Sequence, residues 1–176
     1  PKALCEADYL FSDLLIRVLI VFEEKGSGST FASRRIVTKF LEYLDSAGGF
    51  RCLSSETHVL RLRTHILNLL MDPSEQLQQA ALRCLTKSKA PELQKLKENL
   101  FRLASESTFR DELTNFVELL RSEVQGSTRE LLIPILMRLL YGKTLVKSGG
   151  HQKSRRRAVL SFFESSFSQE EIDEAL

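Results

Sequence analysis

Hydrophobic residues recur at helical spacing along most of the chain, and polar breaks separate one run from the next. Successive apolar positions lie three or four residues apart, as they do on one face of an α-helix. The clearest stripes consist of Val59, Leu62, Ile66 and Leu69; of Leu93, Leu96, Leu100 and Leu103; and of Phe109, Leu113, Phe116 and Leu120. No stretch alternates in the way of a strand, so the pattern predicts an all-α fold of about eight or nine helices.

Several helix starts carry capping patterns. In "DPSE" Asp72 can cap a helix, Pro73 suits its first position, and Glu75 follows three residues after the cap. Two further capping boxes pair a serine with a glutamate three residues later, Ser127 with Glu130 and Ser168 with Glu171. These signals predict short turns between consecutive helices, which must therefore fold back antiparallel.

One segment, "LLIPILMRLLYG", is apolar on nearly every side, which predicts burial between neighbouring helices. Pro134 lies inside it and should kink the helix or mark its true start. Helix pairs repeat with a period of about 40 residues, which predicts a HEAT-like α-solenoid segment of antiparallel helix pairs. A single irregular helical bundle would give a similar pattern.

Composition excludes several classes of protein. The three cysteines, Cys5, Cys52 and Cys84, form no CxxC pair, which favours reduced thiols over a disulfide framework. The most apolar stretch, residues 9–22, is interrupted by Asp13 and Arg17 and falls short of the ~20 apolar residues of a membrane span. We therefore expect no membrane contact. Because the chain starts with proline and stops as a helix begins, we also expect a fragment of a larger protein.

No motif for catalysis or metal binding is present. His58 and His65 are seven residues apart, whereas two zinc ligands on one helix usually stand at i and i+4. No nucleophile, base and acid form a recognisable set. We expect no enzyme activity, no cofactor, no metal and no small-molecule substrate.

The segment "YGKT" (141–144) resembles the end of a phosphate-binding P-loop. That motif needs another glycine five positions before Gly142, where this chain has Met137 inside a predicted helix. The P-loop is rejected, and Gly142 is interpreted as a helix stop that precedes a basic loop.

Charge is segregated near the C-terminus. Residues 138–157 contain seven Lys or Arg and no acid, whereas five acids and no base follow from Glu164 onward. We interpret residues 143–157 as a basic loop that joins two helices, the second over about 156–165. Such a loop can contact a phosphate backbone, although it can equally be a solvated connection or, in "KSRRR", a nuclear localisation signal. The candidate phosphate contacts are Lys143, Lys147, Lys153, Arg155, Arg156 and Arg157.

A second basic group lies near the N-terminus. In "FASRRIVTKF" the cations Arg34, Arg35 and Lys39 share one predicted helix, and Arg35 and Lys39 are i and i+4. They are weaker candidates for phosphate contact, because an exposed, solvated helix face explains them as well.

The C-terminal two thirds of the chain resemble a known family. Residues 69–116, "RELLIPILMRLLYGK" (129–143), the basic spacer, "RRRAVLSFF" (155–163) and "SQEEI" (168–172) follow in an order similar to that of the U-three snoRNA-associated protein twenty family, also called down-regulated in metastasis. The resemblance covers residues 55–176. It implies a very large, non-enzymatic HEAT-repeat protein of the nucleus and nucleolus.

The resemblance also implies a function. Members of this family are scaffolds of the small-subunit processome in ribosome biogenesis, where they bridge pre-ribosomal RNA, the snoRNA-containing particle and assembly factors. Residues 1–176 would then form one α-solenoid segment of such a scaffold, with the basic loop at 143–157. The alternative is a HEAT-repeat scaffold that binds only proteins, as in transport or phosphatase complexes.

Overall fold

A computed structural model describes residues 31–46, 56–87, 91–122, 124, 126–146 and 152–175, together with isolated positions between 13 and 20. Throughout this part of the chain the regular elements are helices, which confirms the all-α prediction. They are α1 (Phe31–Ser46), α2 (Glu56–Leu69), α3 (Glu75–Thr86), α4 (Pro91–Lys95), α5 (Lys97–Ala104), α6 (Phe109–Ser122), α7 (Ser127–Leu145), α8 (Gln152–Ser166) and α9 (Gln169–Ala175).

Consecutive helices pair through short connections. Helices α2 and α3 pack against each other across the turn at 70–74, and α5 and α6 do so across 105–108. Two helices that pack along each other and are joined by so short a turn run antiparallel. Helix α3 also packs on α1 and α5, and α8 packs on α6 and α7. These helix pairs are consistent with a HEAT-like segment.

Helix α7 lies at the centre of the packing. It contacts α2, α4, α8 and α9. Its buried side chains point in several directions, as its all-round apolar sequence predicts. The buried apolar residues of α7 are Leu132, Ile133, Ile135, Leu136, Met137, Leu139 and Leu140. Pro134 does not mark the helix start, because α7 begins seven residues earlier at Ser127.

The predicted apolar stripes form the core. Leu62, Ile66 and Leu69 of α2 are buried, and Val59 packs against them from a half-buried position. The stripes of the following segments are buried throughout, namely Leu93, Leu96, Leu100 and Leu103, and then Phe109, Leu113, Phe116 and Leu120. In α1 the inward face consists of Val37, Leu41 and Leu44, whereas Ile36 and Tyr43 are exposed.

Of the three predicted helix caps, one forms as the sequence predicts. Ser168 and Glu171 form the predicted capping box, because each backbone N–H donates to the side chain of the other. The cap of α3 is Ser74 rather than Asp72, whose carboxylate accepts a hydrogen bond from the Ser74 N–H instead. The cap of α7 is Gly126, at a φ of 58°, so the predicted box of Ser127 with Glu130 does not form.

The segment predicted as a basic loop is largely helical. Helix α7 continues through Lys143 to Leu145, and α8 begins at Gln152, four residues before the predicted start. Gly142 is therefore not a helix stop. It lies within α7 where an added Cβ would come within 2.5 Å of the Leu70 carbonyl oxygen and of the Gln78 amide nitrogen. The glycine is needed for close packing on the α2–α3 turn, so the helix-stop interpretation is wrong.

None of the described helices combines the length and the hydropathy that a membrane span requires. The apolar stretch at 9–22 lies largely outside the described residues, although Ile16 and Leu19 within it are buried. Cys84 is likewise buried and lies 3.4 Å from the Leu41 carbonyl oxygen, to which its thiol donates. The positions of Cys5 and Cys52 lie outside the described part of the chain.

Candidate nucleic-acid interface

Four of the predicted phosphate contacts lie in the first two turns of α8. They are Lys153, Arg155, Arg156 and Arg157. Lys143 belongs to α7, and Lys147 lies outside the described residues. The structure thus places most of the group on a regular helix, where each side chain has a defined direction.

Lys143 is enclosed by protein. Its side chain has no exposed surface, and its ammonium donates to the carbonyl oxygen of Ala104, the last residue of α5, and to the carboxylate of Glu106 at 2.9 Å. A cation suits this place because the C-terminal carbonyls of a helix carry partial negative charge. Burial lowers the pKa of Lys143, and the bond to Glu106 partly offsets that effect. In this arrangement Lys143 cannot reach a phosphate, and its role is to join α7 to α5.

Arg155 is held by the same carboxylate. Its guanidinium lies 2.5 Å from the second oxygen of Glu106, its side chain is 12% exposed, and it stands 6.0 Å above the ring of Phe109. Glu106 therefore bridges a cation of α7 and a cation of α8. This carboxylate neutralises part of the charge that the sequence places in the segment.

The other three cations are exposed on α8. Lys153, Arg156 and Arg157 lie at i, i+3 and i+4, so they share one side of the helix. Arg156 donates through Nε to the Thr144 carbonyl oxygen at 3.1 Å, which leaves its terminal N–H groups for other acceptors. We call Lys153, Arg156 and Arg157 the α8 basic face.

Arg110 of α6 stands beside this face. It is exposed, and it donates to the hydroxyl of Ser154 at 3.1 Å. Arg110 could not be identified from the sequence, because it is separated from α8 by more than forty positions and belongs to another helix pair. The fold thus places a fourth exposed cation next to the α8 basic face.

Of the N-terminal cations, Arg34 holds two helical segments together, whereas Arg35 and Lys39 are exposed. Arg34 is paired with Asp72 at 3.0 Å, which ties α1 to the α2–α3 turn. Lys39 is exposed and contacts Glu42 at 2.7 Å, a bond that lowers the pKa of Glu42. Arg35 is exposed. Helix α1 packs on α3 whereas α8 packs on α6 and α7, so the two basic groups belong to different helix pairs.

Among the residues that the structure describes, no three His, Cys, Asp or Glu side chains come together in a way that could hold an ion. His65 is half-buried on α2.

The chain matches the family described as "U3 small nucleolar RNA-associated protein 20, N-terminal" over residues 37–176, which is more than half of its length. It is similar to U3 small nucleolar RNA-associated protein 20 of Saccharomyces cerevisiae, with 27% identity over 121 residues. The protein of the same name from Schizosaccharomyces pombe is 41% identical over 69 residues. No solved structure matches the chain.

The chain spans a small part of these relatives. The alignment with the S. cerevisiae protein covers 68% of this chain but 5% of that protein, and the S. pombe alignment covers 36% and 3%. What the whole relatives do therefore applies to this chain only as a proposal.

Proposed function

This chain belongs to the U3 small nucleolar RNA-associated protein 20 family, and we propose that it is a non-enzymatic helical scaffold segment of the small-subunit processome. In that role it bridges pre-ribosomal RNA, the snoRNA-containing particle and assembly factors in the nucleolus. The observation that carries the RNA part of this proposal is the α8 basic face, with three exposed cations on one side of a helix and Arg110 beside them.

The electrostatics of α8 favour an anion at its start. The first turn of α8 contains no acidic residue that would complement the positive end of the helix dipole. Lys153, Arg155 and Arg156 instead add positive charge to the same end. A phosphate backbone lying along this turn would compensate both the dipole and the side chains. The carboxylate of Glu106, which contacts Arg155 of α8, already forms ion pairs with both Lys143 and Arg155.

Salt dependence of RNA affinity tests the proposal. The full-length protein is titrated with a single-stranded pre-ribosomal RNA fragment at several salt concentrations. Each phosphate contact on a single strand contributes a slope of about −0.7 to log K against log salt. Replacing Lys153, Arg156 and Arg157 together by Gln should therefore make the slope shallower by about 2.

The matched control replaces Arg34, Arg35 and Lys39 by Gln. This change removes the same charge, but Arg34 and Lys39 have carboxylate partners within the chain. We expect a smaller change of slope from this variant. An unchanged slope in the α8 variant would contradict RNA contact through the α8 basic face.

A scaffold that binds only proteins is the second candidate. It is favoured by the ion pairs that engage Lys143, Arg155, Arg34 and Lys39, since these cations have intramolecular structural roles. Cross-linking within purified precursor particles separates the two candidates. Cross-links from α8 to RNA support the first, and cross-links from α8 to protein alone support the second.

A further inference from the structure

A groove of about 460 Å³ lies between α2 and α7. It contains no residue of the α8 basic face. Its apolar lining consists of Leu60 and Leu67 from α2 and Leu131 and Pro134 from α7. Leu60 is 59% exposed, so much of its apolar surface is open to a partner. On α2 the groove residues Leu60, Thr64 and Leu67 lie at i, i+4 and i+7, so they form one stripe along the helix.

The charged residues of the groove are mainly positive. Arg61 and Arg63 line it from α2, and Glu130 lines it from α7. Neither arginine forms an ion pair with another of the described residues. A floor of leucine and proline flanked by two such arginines is complementary to an apolar stripe that has carboxylates beside it.

We propose that the groove between α2 and α7 binds an amphipathic helix of a partner protein, with an apolar stripe facing Leu60 and Leu67 and carboxylates facing Arg61 and Arg63. In helix-in-groove recognition an amphipathic helix lays apolar side chains at i, i+3 or i+4, and i+7 against an apolar groove, and Leu60, Leu67, Leu131 and Pro134 offer such a surface. RNA is a poorer occupant, because no lining residue is aromatic and an apolar floor offers bases neither stacking nor hydrogen bonds. A second copy of the chain is also a poorer occupant, because a symmetric contact would bring two pairs of arginines together.

Two fluorescent peptides as long as α2 serve as probes against the full-length protein. Both have Leu at every third or fourth position, and one has Glu and the other Lys on the flanks. The Glu-flanked peptide should bind about tenfold more tightly, because two charge pairs form at the edge of an apolar contact. Arg61→Glu with Arg63→Glu should reverse this preference.

A matched charge reversal at exposed sites on α4 and α6, Lys95→Glu with Arg121→Glu, should leave the preference unchanged. Equal affinity for both peptides, no binding of either, or an unchanged preference in the Arg61 and Arg63 variant would overturn the proposal. RNA affinity, measured on the same preparations, should not follow the groove variants. A loss of RNA affinity in the Arg61 and Arg63 variant would show that the groove contacts RNA and would overturn the proposal, whereas a loss only in the α8 variant concerns the proposed function.

A single photo-cross-linking residue at Thr64 gives an independent measurement within the purified precursor particle. Thr64 is exposed and its hydroxyl donates only to the Leu60 carbonyl of its own helix, so this position tolerates replacement. A cross-link to a protein segment with acidic flanks and leucine-like residues at helical spacing supports the proposal. A cross-link to RNA, to a second copy of this chain, or to nothing overturns it.

Discussion

Gly142 leaves no room for a single added carbon. Glycine to alanine within a helix normally stabilises by about 1 kcal/mol. At Gly142 the new Cβ would lie 2.5 Å from the Leu70 carbonyl oxygen, which cannot turn away because it is backbone. Overpacking of this kind costs about 1–3 kcal/mol. We expect Gly142→Ala to lower the free energy of unfolding by about 1–2 kcal/mol in a denaturant titration, and any gain in stability would contradict the close packing.

Lys143 makes stability depend on pH in a defined direction. Burial holds its pKa below the ordinary value of 10.5, so between the two values the unfolded chain binds more protons than the folded one. Stability from this group therefore rises with pH across that interval. We expect the difference in unfolding free energy between the native protein and Lys143→Met to shift in favour of the native protein as pH rises toward 10.5. A flat difference would mean that Lys143 is solvated.

Helices α7 and α9 are joined by the forked pair of Arg129 with Glu171. Arg129 donates to both carboxylate oxygens, at 2.5 and 3.1 Å, and to the Ser166 carbonyl oxygen. The pair raises the pKa of Arg129 and lowers that of Glu171. Glu171 also accepts the Ser168 N–H, so the same carboxylate caps α9 and anchors it.

Replacing Arg129 by Met should release α9 while the rest of the core remains folded. Both side chains of the pair are about a quarter exposed, so we expect a loss of about 1 kcal/mol. Amide exchange over residues 169–175 measures it. Because the folded pKa of Glu171 is depressed, its contribution is present above 4.5 and is lost as pH falls through the folded value. Arg129→Lys keeps the positive charge but cannot form the two parallel hydrogen bonds to Glu171. Full amide protection of residues 169–175 in that variant would show that α9 does not depend on this paired geometry.

At the same scale, capping patterns predicted helix starts only where nothing else competed. Ser168 and Glu171 close a capping box as their spacing predicts. Ser127 and Glu130 have the same spacing, yet Gly126 adopts a positive φ and places Ser127 inside α7. The Asp72 carboxylate binds Arg34 as well as the Ser74 N–H, so it stabilises the turn rather than capping α3. The residues around a helix start do not indicate which distant side chains, such as Arg34, will bind there.

For the whole molecule, periodicity predicted the helices and their buried faces because both depend on spacing within one segment. The contacts between segments could not be predicted in this way. Glu106 binds Lys143 and Arg155, which are 37 and 49 positions away, and so removes two predicted phosphate contacts from the surface. Arg110 lies beside the α8 basic face for the same reason, a contact between residues that are distant in sequence. The composition of the segment indicated the chemistry of the candidate interface, but tertiary packing decides which cations are available.

The position of α7 also determines how far a local change spreads. In a simple solenoid each repeat contacts only its neighbours, and destabilisation stays close to its origin. Here α7 packs directly on α2, and Gln78 of α3 donates to the carbonyl oxygens of both Leu70 and Leu139. Gly142→Ala should therefore reduce amide protection over residues 56–86 as well as 127–145, although these segments lie far apart in sequence. Arg129→Met is the matched control, because its effect should be confined to α9 and the adjoining end of α7. Loss of protection limited to α7 in the Gly142 variant would show that α2 and α3 are stable without it.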